Sequence, residues 1–440
     1  MQLLRVINSY FIGPVLPVVI FGTGLFLCLR LRFFHILHPF KVLSALMRPK
    51  KDGVSPFKAL SVALAGTLGV GNITGVASAL MSGGPGAVFW MWIGGFVVLA
   101  VKYSEVALAV KFRKRQESGF CGGAMYYIRD GLSGRFPRGF CRALSAFFAL
   151  LCCANSLITG NLVQSNAAAS IIPGNHKLQV GIVLTAAVAI SIIAGADKIG
   201  RITSKIIPPL TGAYMILALF VIVQHRIMIG DIFSEIISSA FSRKAAVGGA
   251  VGFSVREALR FGVMRGIFSN EAGCGTSPTA HASADTVSPR HQGCLGVIEV
   301  VFDTHILCTL SAFVLIIADR RFGCLPWGTI SDSSAVTLDA FGSLGGKAAY
   351  VFLIVAIILF AYSTIIAQFY YGCCAVRFLS TKKEPQYIFG VMTAVTVLLG
   401  AFLNSPAVWV TADIIIGLMT AVNCGIMILL RRELRYFPPL

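Results

Sequence analysis

The chain has 440 residues, of which 56% are hydrophobic and only 12% charged, and its formal net charge is +19. This balance excludes an ordinary soluble enzyme and defines a polytopic membrane protein. In a soluble chain such a charge would suggest nucleic acid. Here the basic residues fall in short loops between apolar runs, where they act as topology signals.

Eleven apolar spans are predicted in chain order. The first covers residues 11–29. Pro14 and Pro17 open it, no basic segment or small-residue cleavage site frames it, and no cleavable signal peptide is expected. The second, residues 57–82, contains AGTLGVGNITGVASA from Ala65 to Ala79. Gly66, Gly69, Gly71 and Gly75 crowd together there with Thr67, Asn72 and Thr74. Glycine weakens a helix, and an Asn in lipid needs a partner, so this stretch is a candidate for a helix broken at mid-membrane. Close helix packing is the alternative, since Gly71 and Gly75 also fit a GxxxG pattern. Gly83–Gly86 (GGPG) then breaks the chain, with Trp90 and Trp92 expected at a membrane interface.

The third to sixth spans cover residues 87–110, 144–171, 179–196 and 206–223. The seventh, 253–284, is diffuse. The eighth to eleventh cover 295–317, 349–376, 387–403 and 407–430. Residues 230–244 and 333–341 read as short surface helices. The twelve cysteines show no metal-binding spacing, and the adjacent pairs Cys152–Cys153 and Cys373–Cys374 read as small buried side chains.

Basic residues cluster on alternate loops: between spans one and two (Arg30, Arg32, Lys41, Arg48, Lys50, Lys51, Lys58), between three and four, and at Lys198–Lys205, Arg377–Lys383 and Arg431–Arg435. The positive-inside rule places the N-terminus outside and the C-terminus in the cytoplasm of a multi-pass cell-membrane protein.

Residues 266–284 read GIFSNEAGCGTSPTAHASA, which no lipid-facing helix would contain. A cytoplasmic loop is the alternative, given Arg256, Arg260 and Arg265 beside it. This segment lies five spans after the first interrupted one. Two glycine-interrupted segments at corresponding positions point to an inverted-repeat transporter with its site at the midplane. The expected division is a peripheral helix at 11–29, a first five-helix repeat at 57–223 and a second at 253–430.

The stretches GVGNITGVASA (69–79), GGPGAVFWMW (83–92), GGAMYYI (122–128), SNEAGCGTSPTAHA (269–282) and YYG (370–372) resemble the alanine or glycine:cation symporter family. The resemblance runs nearly the whole length. It implies an all-α, leucine-transporter-type 5+5 inverted repeat with one extra N-terminal helix, and sodium-coupled import of a small neutral amino acid, alanine or glycine, with serine added where the smaller, polar Gln368 opens the pocket. The sequence departs from the family pattern at Val70, where Thr is usual, at Gln368, where Trp is usual, and at Cys373, where Glu is usual.

A zwitterionic ligand suits such a site. Its carboxylate would meet freed N–H groups near Gly69, Gly71 and Asn72. Its ammonium would meet Ser269, Asn270, Glu271 or carbonyls of the second break. Gln164, sharing a helix face with Asn161, is a cavity-lining candidate, with helix packing as its alternative. Gln368 is a pocket candidate through the family pattern. The resemblance further implies a sodium site joining Gly66 of the first break to Ser363 and Thr364. The coupling ion is Na⁺, with H⁺ as the alternative, and no other cofactor, nucleic acid or obligatory protein partner is expected. Glu299 and Asp303 share a helix face. With His281 or His305 they define the rival reading, a membrane-embedded enzyme, although HExxH, GxSxG and Walker A motifs are absent from the sequence.

Overall fold

The computed structural model describes residues 13–47, 55–116, 119–172, 174, 176–241, 245–247, 251–285, 288–329, 332–403 and 405–436. The start of the first predicted span, part of the first basic loop including Lys50 and Lys51, and the last three residues of the 230–244 segment lie outside them. Helix α1 covers Gly13–Arg30 and carries Pro17 in its early turns.

The core begins where Ser55 caps a helix. Its hydroxyl accepts the Lys58 N–H at 3.1 Å, and Pro56 fills the first turn, where a missing N–H costs nothing. Helix α2, Pro56–Thr67, then stops. Leu68 and Gly69 leave the helical region, Val70–Asn72 makes one tight turn, and α3 resumes over Thr74–Gly83. The interruption predicted from the glycines is therefore a true break.

Gly84, at a φ of 70°, turns the chain into α4, Gly86–Lys111. A short hairpin pairs Lys114–Gln116 with Gly119–Cys121, and α5 covers Ala124–Gly131. Helix α6 spans Arg138–Ser170, and its Ser156–Val163 segment is wound as a π-helix. Helix α7 is Lys177–Ala194, and α8 is Ala196–Gln224. The latter begins about ten residues before the predicted span, because its first turns carry exposed Lys198, Arg201 and Lys205 beside buried Ile199 and Thr203. Helix α9, Ile229–Phe241, matches the predicted amphipathic segment.

Helix α10, Val255–Asn270, starts at a reciprocal cap: Ser254 Oγ accepts from the Glu257 N–H, and the Glu257 carboxylate accepts from the Ser254 N–H. After a non-helical stretch, α11 covers only Pro278–Ala282. Helix α12 is Pro289–Phe322, π-helical over Val301–Cys308. Helix α13 runs Ser333–Leu379 with a bend at Gly346, so the short helix expected at 333–341 is its first arm. Helices α14, Glu384–Gly400, and α15, Ser405–Leu429, complete the fold.

By length and composition, α4, α6, α7, α8, α12, α13 and α15 can each cross a membrane. Helix α4 is the most enclosed of these, flanked by α10 and α12. Small residues let the three approach closely. At Gly262 of α10 an added Cβ would fall 2.2 Å from the Ala87 carbonyl oxygen of α4. Trp90 and Trp92 are tied into this packing, donating to Ala240 O (3.2 Å) and Thr309 Oγ1 (2.8 Å). Large apolar side chains on α7 and α8, such as Ile193 and Ile216, stay exposed, as lipid contact requires.

Candidate substrate and ion site

The two breaks meet. A Cβ added to Gly71 in the first would lie 3.2 Å from the Phe268 ring and 3.4 Å from the Ser269 Cα, in the last turn of α10 that leads into the second. Asp303, on the π-helical part of α12, joins them. Its Oδ1 accepts from Asn72 Nδ2 at 2.7 Å, and its Oδ2 accepts from Ser269 Oγ and Thr304 Oγ1, both at 2.9 Å. The carboxylate is wholly buried, and all three donors are neutral.

Within the first break, freed backbone groups find side-chain partners, as buried polar groups must. Gly69 N–H donates to Asn72 Oδ1 (3.2 Å), and Val70 N–H donates to Gln164 Oε1 (3.2 Å). The Asn72 carbonyl accepts from Ser311 Oγ (2.6 Å), and the Ala65 carbonyl accepts from Thr364 Oγ1 (2.9 Å). Only glycine fits at position 69: a Cβ there would lie 2.7 Å from Thr364 Oγ1 and 2.8 Å from Gln164 Oε1.

The second break starts at Glu271, which adopts the left-handed conformation (φ 50°, ψ 22°) that a non-glycine residue rarely takes. Gly273 and Gly275 follow, also with positive φ. Asn270 Oδ1 accepts the Ala272 N–H (2.8 Å), and its Nδ2 donates to Thr304 (2.9 Å). The Glu271 carboxylate accepts from Thr276 Oγ1 (2.5 Å) and from Gln368 Nε2 (2.6 Å). Gln368 packs tightly on α6, since a Cβ at Gly160 would lie 2.4 Å from its own Cβ.

The structure therefore gathers Gly69, Gly71, Asn72, Gln164, Ser269, Asn270, Glu271, Thr364 and Gln368 around the paired breaks. Gly66 lies instead against the Tyr371 ring, and Ser363 donates to Phe360 O of its own helix (2.9 Å). Asn161 does not share the Gln164 environment. It donates to Thr396 on α14 (2.8 Å), because the π-helical winding between them breaks the face that three-residue spacing implies. Of the groups in the rival enzyme reading, His281 and Glu299 are in contact (2.9 Å), whereas His305 packs against Phe96 with the rings tilted by 55°, centroids 4.3 Å apart.

Sequence reasoning missed Lys102 and Glu105 of α4. Both are fully buried. Lys102 Nζ donates to Ser277 Oγ (2.7 Å) and Glu299 Oε1 (3.3 Å). Glu105 Oε2 accepts the Gly275 N–H (3.2 Å) and Asn423 Nδ2 (3.2 Å), and Asn423 also reaches Gly273 O (2.8 Å). The signal was present: two ionisable residues three apart inside an otherwise apolar span. Around the breaks four buried carboxylates, Glu105, Glu271, Glu299 and Asp303, face one ammonium, Lys102. Such a field favours bound cations.

Two interrupted helices that abut at a wholly buried, cation-favouring centre define a secondary carrier of the leucine-transporter type. Solved structures agree on the fold. A Na⁺-coupled sialic acid symporter, in a substrate-bound outward-open state, superposes with a TM-score of 0.55 at 13% identity, covering 96% of this chain and 86% of that one. The model of the sodium:alanine symporter family matches residues 1–436, and the chain belongs to that family. It is accordingly a transporter, of the sodium-coupled amino-acid symporter class, and not an enzyme. Among curated relatives it is 34% identical over 439 residues to the sodium/alanine symporter AgcS of Methanococcus maripaludis, covering 97% of this chain and 94% of that protein. It is 32% identical to the probable sodium/glutamine symporter GlnT of Bacillus subtilis, covering 98% and 88%.

Asn72 serves the first break and the Asp303 junction at once, which makes it a sharp test of the arrangement. Asn72→Ala would strip one donor from Asp303 and leave the Gly69 N–H unmet, at about 1–3 kcal/mol for each buried group. Asn72→Ala and Gly71→Leu are each expected to reduce uptake at least tenfold with near-normal membrane insertion. Unchanged uptake in both variants would reduce the stretch to a packing motif.

Proposed function

We propose that the chain imports a small neutral amino acid, alanine, glycine or serine, together with Na⁺ by alternating access across the cell membrane. The observation that carries this reading is Asp303, a buried carboxylate between two helix breaks with only neutral donors around it. An uncompensated charge at this depth is costly, and a bound cation removes the cost. The substrate carboxylate is assigned to the first break at Gly69–Asn72, beside Gln164. The ammonium is assigned to the acidic side, near Ser269, Asn270 and Glu271. Sodium is assigned to the first break, where the Ala65 carbonyl meets Thr364 of α13 and Gly66 and Ser363 lie beside them, and the Asp303 carboxylate on the same break supplies the negative charge that balances it. These are hard oxygen donors of the kind sodium prefers.

Eleven crossings follow if α1, α14 and the two broken pairs, α2–α3 and α10–α11, also traverse the membrane. The two five-helix repeats then occupy 57–223 and 253–430. The basic loops place the N-terminus outside and the C-terminus in the cytoplasm. Membrane-impermeant thiol labelling of a cysteine placed at position 8, in an otherwise cysteine-free chain, is expected from the outside only. Labelling from the cytoplasmic side would reverse the topology.

Uptake of a labelled amino-acid panel into proteoliposomes, with Na⁺ and pH gradients imposed separately, tests the function. Sodium-driven uptake of alanine, glycine or serine supports it, and uptake indifferent to sodium contradicts it. Gln368 is the expected determinant of substrate size, because its amide reaches Glu271 at the second break. Gln368→Trp should narrow the accepted set towards glycine and alanine and leave the ion dependence unchanged. If competition among glycine, alanine and serine keeps its ranking, Gln368 does not border the pocket.

A further inference from the structure

Four ionisable side chains with no exposure enclose the far side of the second break: Lys102, Glu105, His281 and Glu299. Resting on the transport reading above, we infer that His281 is a proton-binding site that links transport to pH.

Lys102 contributes one positive charge, and Glu105 and Glu299 contribute two negative ones. With a neutral imidazole these four keep an unbalanced negative charge inside a membrane protein, a costly state to which Glu271 beside them adds; an added proton lowers the excess. Geometry then says where that proton sits. Both oxygens of Glu299 already accept, Oε1 from Lys102 Nζ (3.3 Å) and Oε2 from His281 Nε2 (2.9 Å), so Glu299 is arranged as a carboxylate. Glu105 Oε2 accepts from the Gly275 N–H and Asn423. Its Oε1 has no hydrogen-bond partner and lies 3.7 Å from Lys102 Nζ, which cannot accept a proton. A proton on Glu105 would have no acceptor.

His281 does have the means to hold one. Nε2–H donates to Glu299, and Nδ1 lies 2.8 Å from the side-chain amide of Gln292. An amide can turn either end to the ring. Its NH₂ donates to Nδ1 of the neutral imidazole; its carbonyl accepts Nδ1–H of the imidazolium. With the NH₂ turned inward, Gln292 Oε1 is left buried without a partner. Turning the carbonyl inward gives that oxygen a donor and the proton an acceptor. The proton is drawn from water and returned to it as the site opens, and no bond other than N–H forms or breaks.

The other ionisable groups facing this centre belong to each neighbouring element. Glu271 of the break interacts with Lys102 and Glu299, and Tyr371 of α13 interacts with both Glu271 and Glu299. Arg113 caps the end of α11 through the Ala282 carbonyl (3.2 Å) and the Ala284 carbonyl. None of these offers Nδ1 a second acceptor in place of Gln292.

The test is uptake of labelled alanine into proteoliposomes at a fixed inward Na⁺ gradient. Internal and external pH are varied together from about 5.5 to about 8.5, the range in which imidazole changes charge. The wild-type rate should fall severalfold as pH rises. His281→Gln should flatten the profile. Gln292→Met, which removes the Nδ1–H acceptor, should displace the falling limb from its wild-type position. Sodium-driven uptake that is present but flat in the wild type overturns the proton site and leaves the transport reading intact. A falling limb that survives His281→Gln also overturns it, and so does an unshifted limb in Gln292→Met, which decides the matter if the His281 variant fails to insert. Absence of sodium-driven uptake at every pH overturns the transport reading, and this inference with it.

Discussion

The bonds from Asp303 to Asn72 and Ser269 hold two interrupted helices against each other, and the rest of the site depends on that junction. Each break exposes backbone N–H and C=O groups inside a membrane protein, where no lipid can satisfy them. The chain answers with side chains from other elements: Gln164, Thr364 and Ser311 for the first break, Glu105 and Asn423 for the second. The breaks persist because these partners hold them.

Helix α4 has an unusual part in this arrangement. It is almost entirely enclosed, and its charged residues, Lys102 and Glu105, reach the second break. Through Glu299, Lys102 also ties α12 to the same point. Thus α4, α11 and α12 form one group stitched by charged side chains. Removing a single charge from it would leave an opposite charge buried and unpaired, which costs far more than replacing a matched pair with neutral residues.

Much of this was legible in the sequence because breaking a helix in a membrane takes conspicuous residues. Four glycines and an Asn in the second span, and SNEAGCGTSP in the seventh, cannot be mistaken for ordinary lipid-facing helix. Other features left no usable pattern. Asn161 and Gln164 look like one face, but the π-helical turn before Gln164 sends them to different neighbours. The hairpins at 114–121 and 245–253 are too short to show strand periodicity. Lys102 and Glu105 were visible as letters, yet hydropathy averaging over Gly86–Lys111 hides them, and their partners lie more than 150 residues away in sequence.

The central claim is that Asp303 supplies the negative charge that makes the paired breaks a cation-dependent site. The most direct measurement is calorimetric binding of alanine to purified wild type and to Asp303→Asn, each titrated with and without Na⁺. Asn retains the size and one acceptor oxygen but removes the charge. Binding should require Na⁺ in the wild type, and in the variant the sodium concentration needed should rise at least tenfold. An Asp303→Asn protein that binds alanine with the same sodium dependence as wild type would contradict the account.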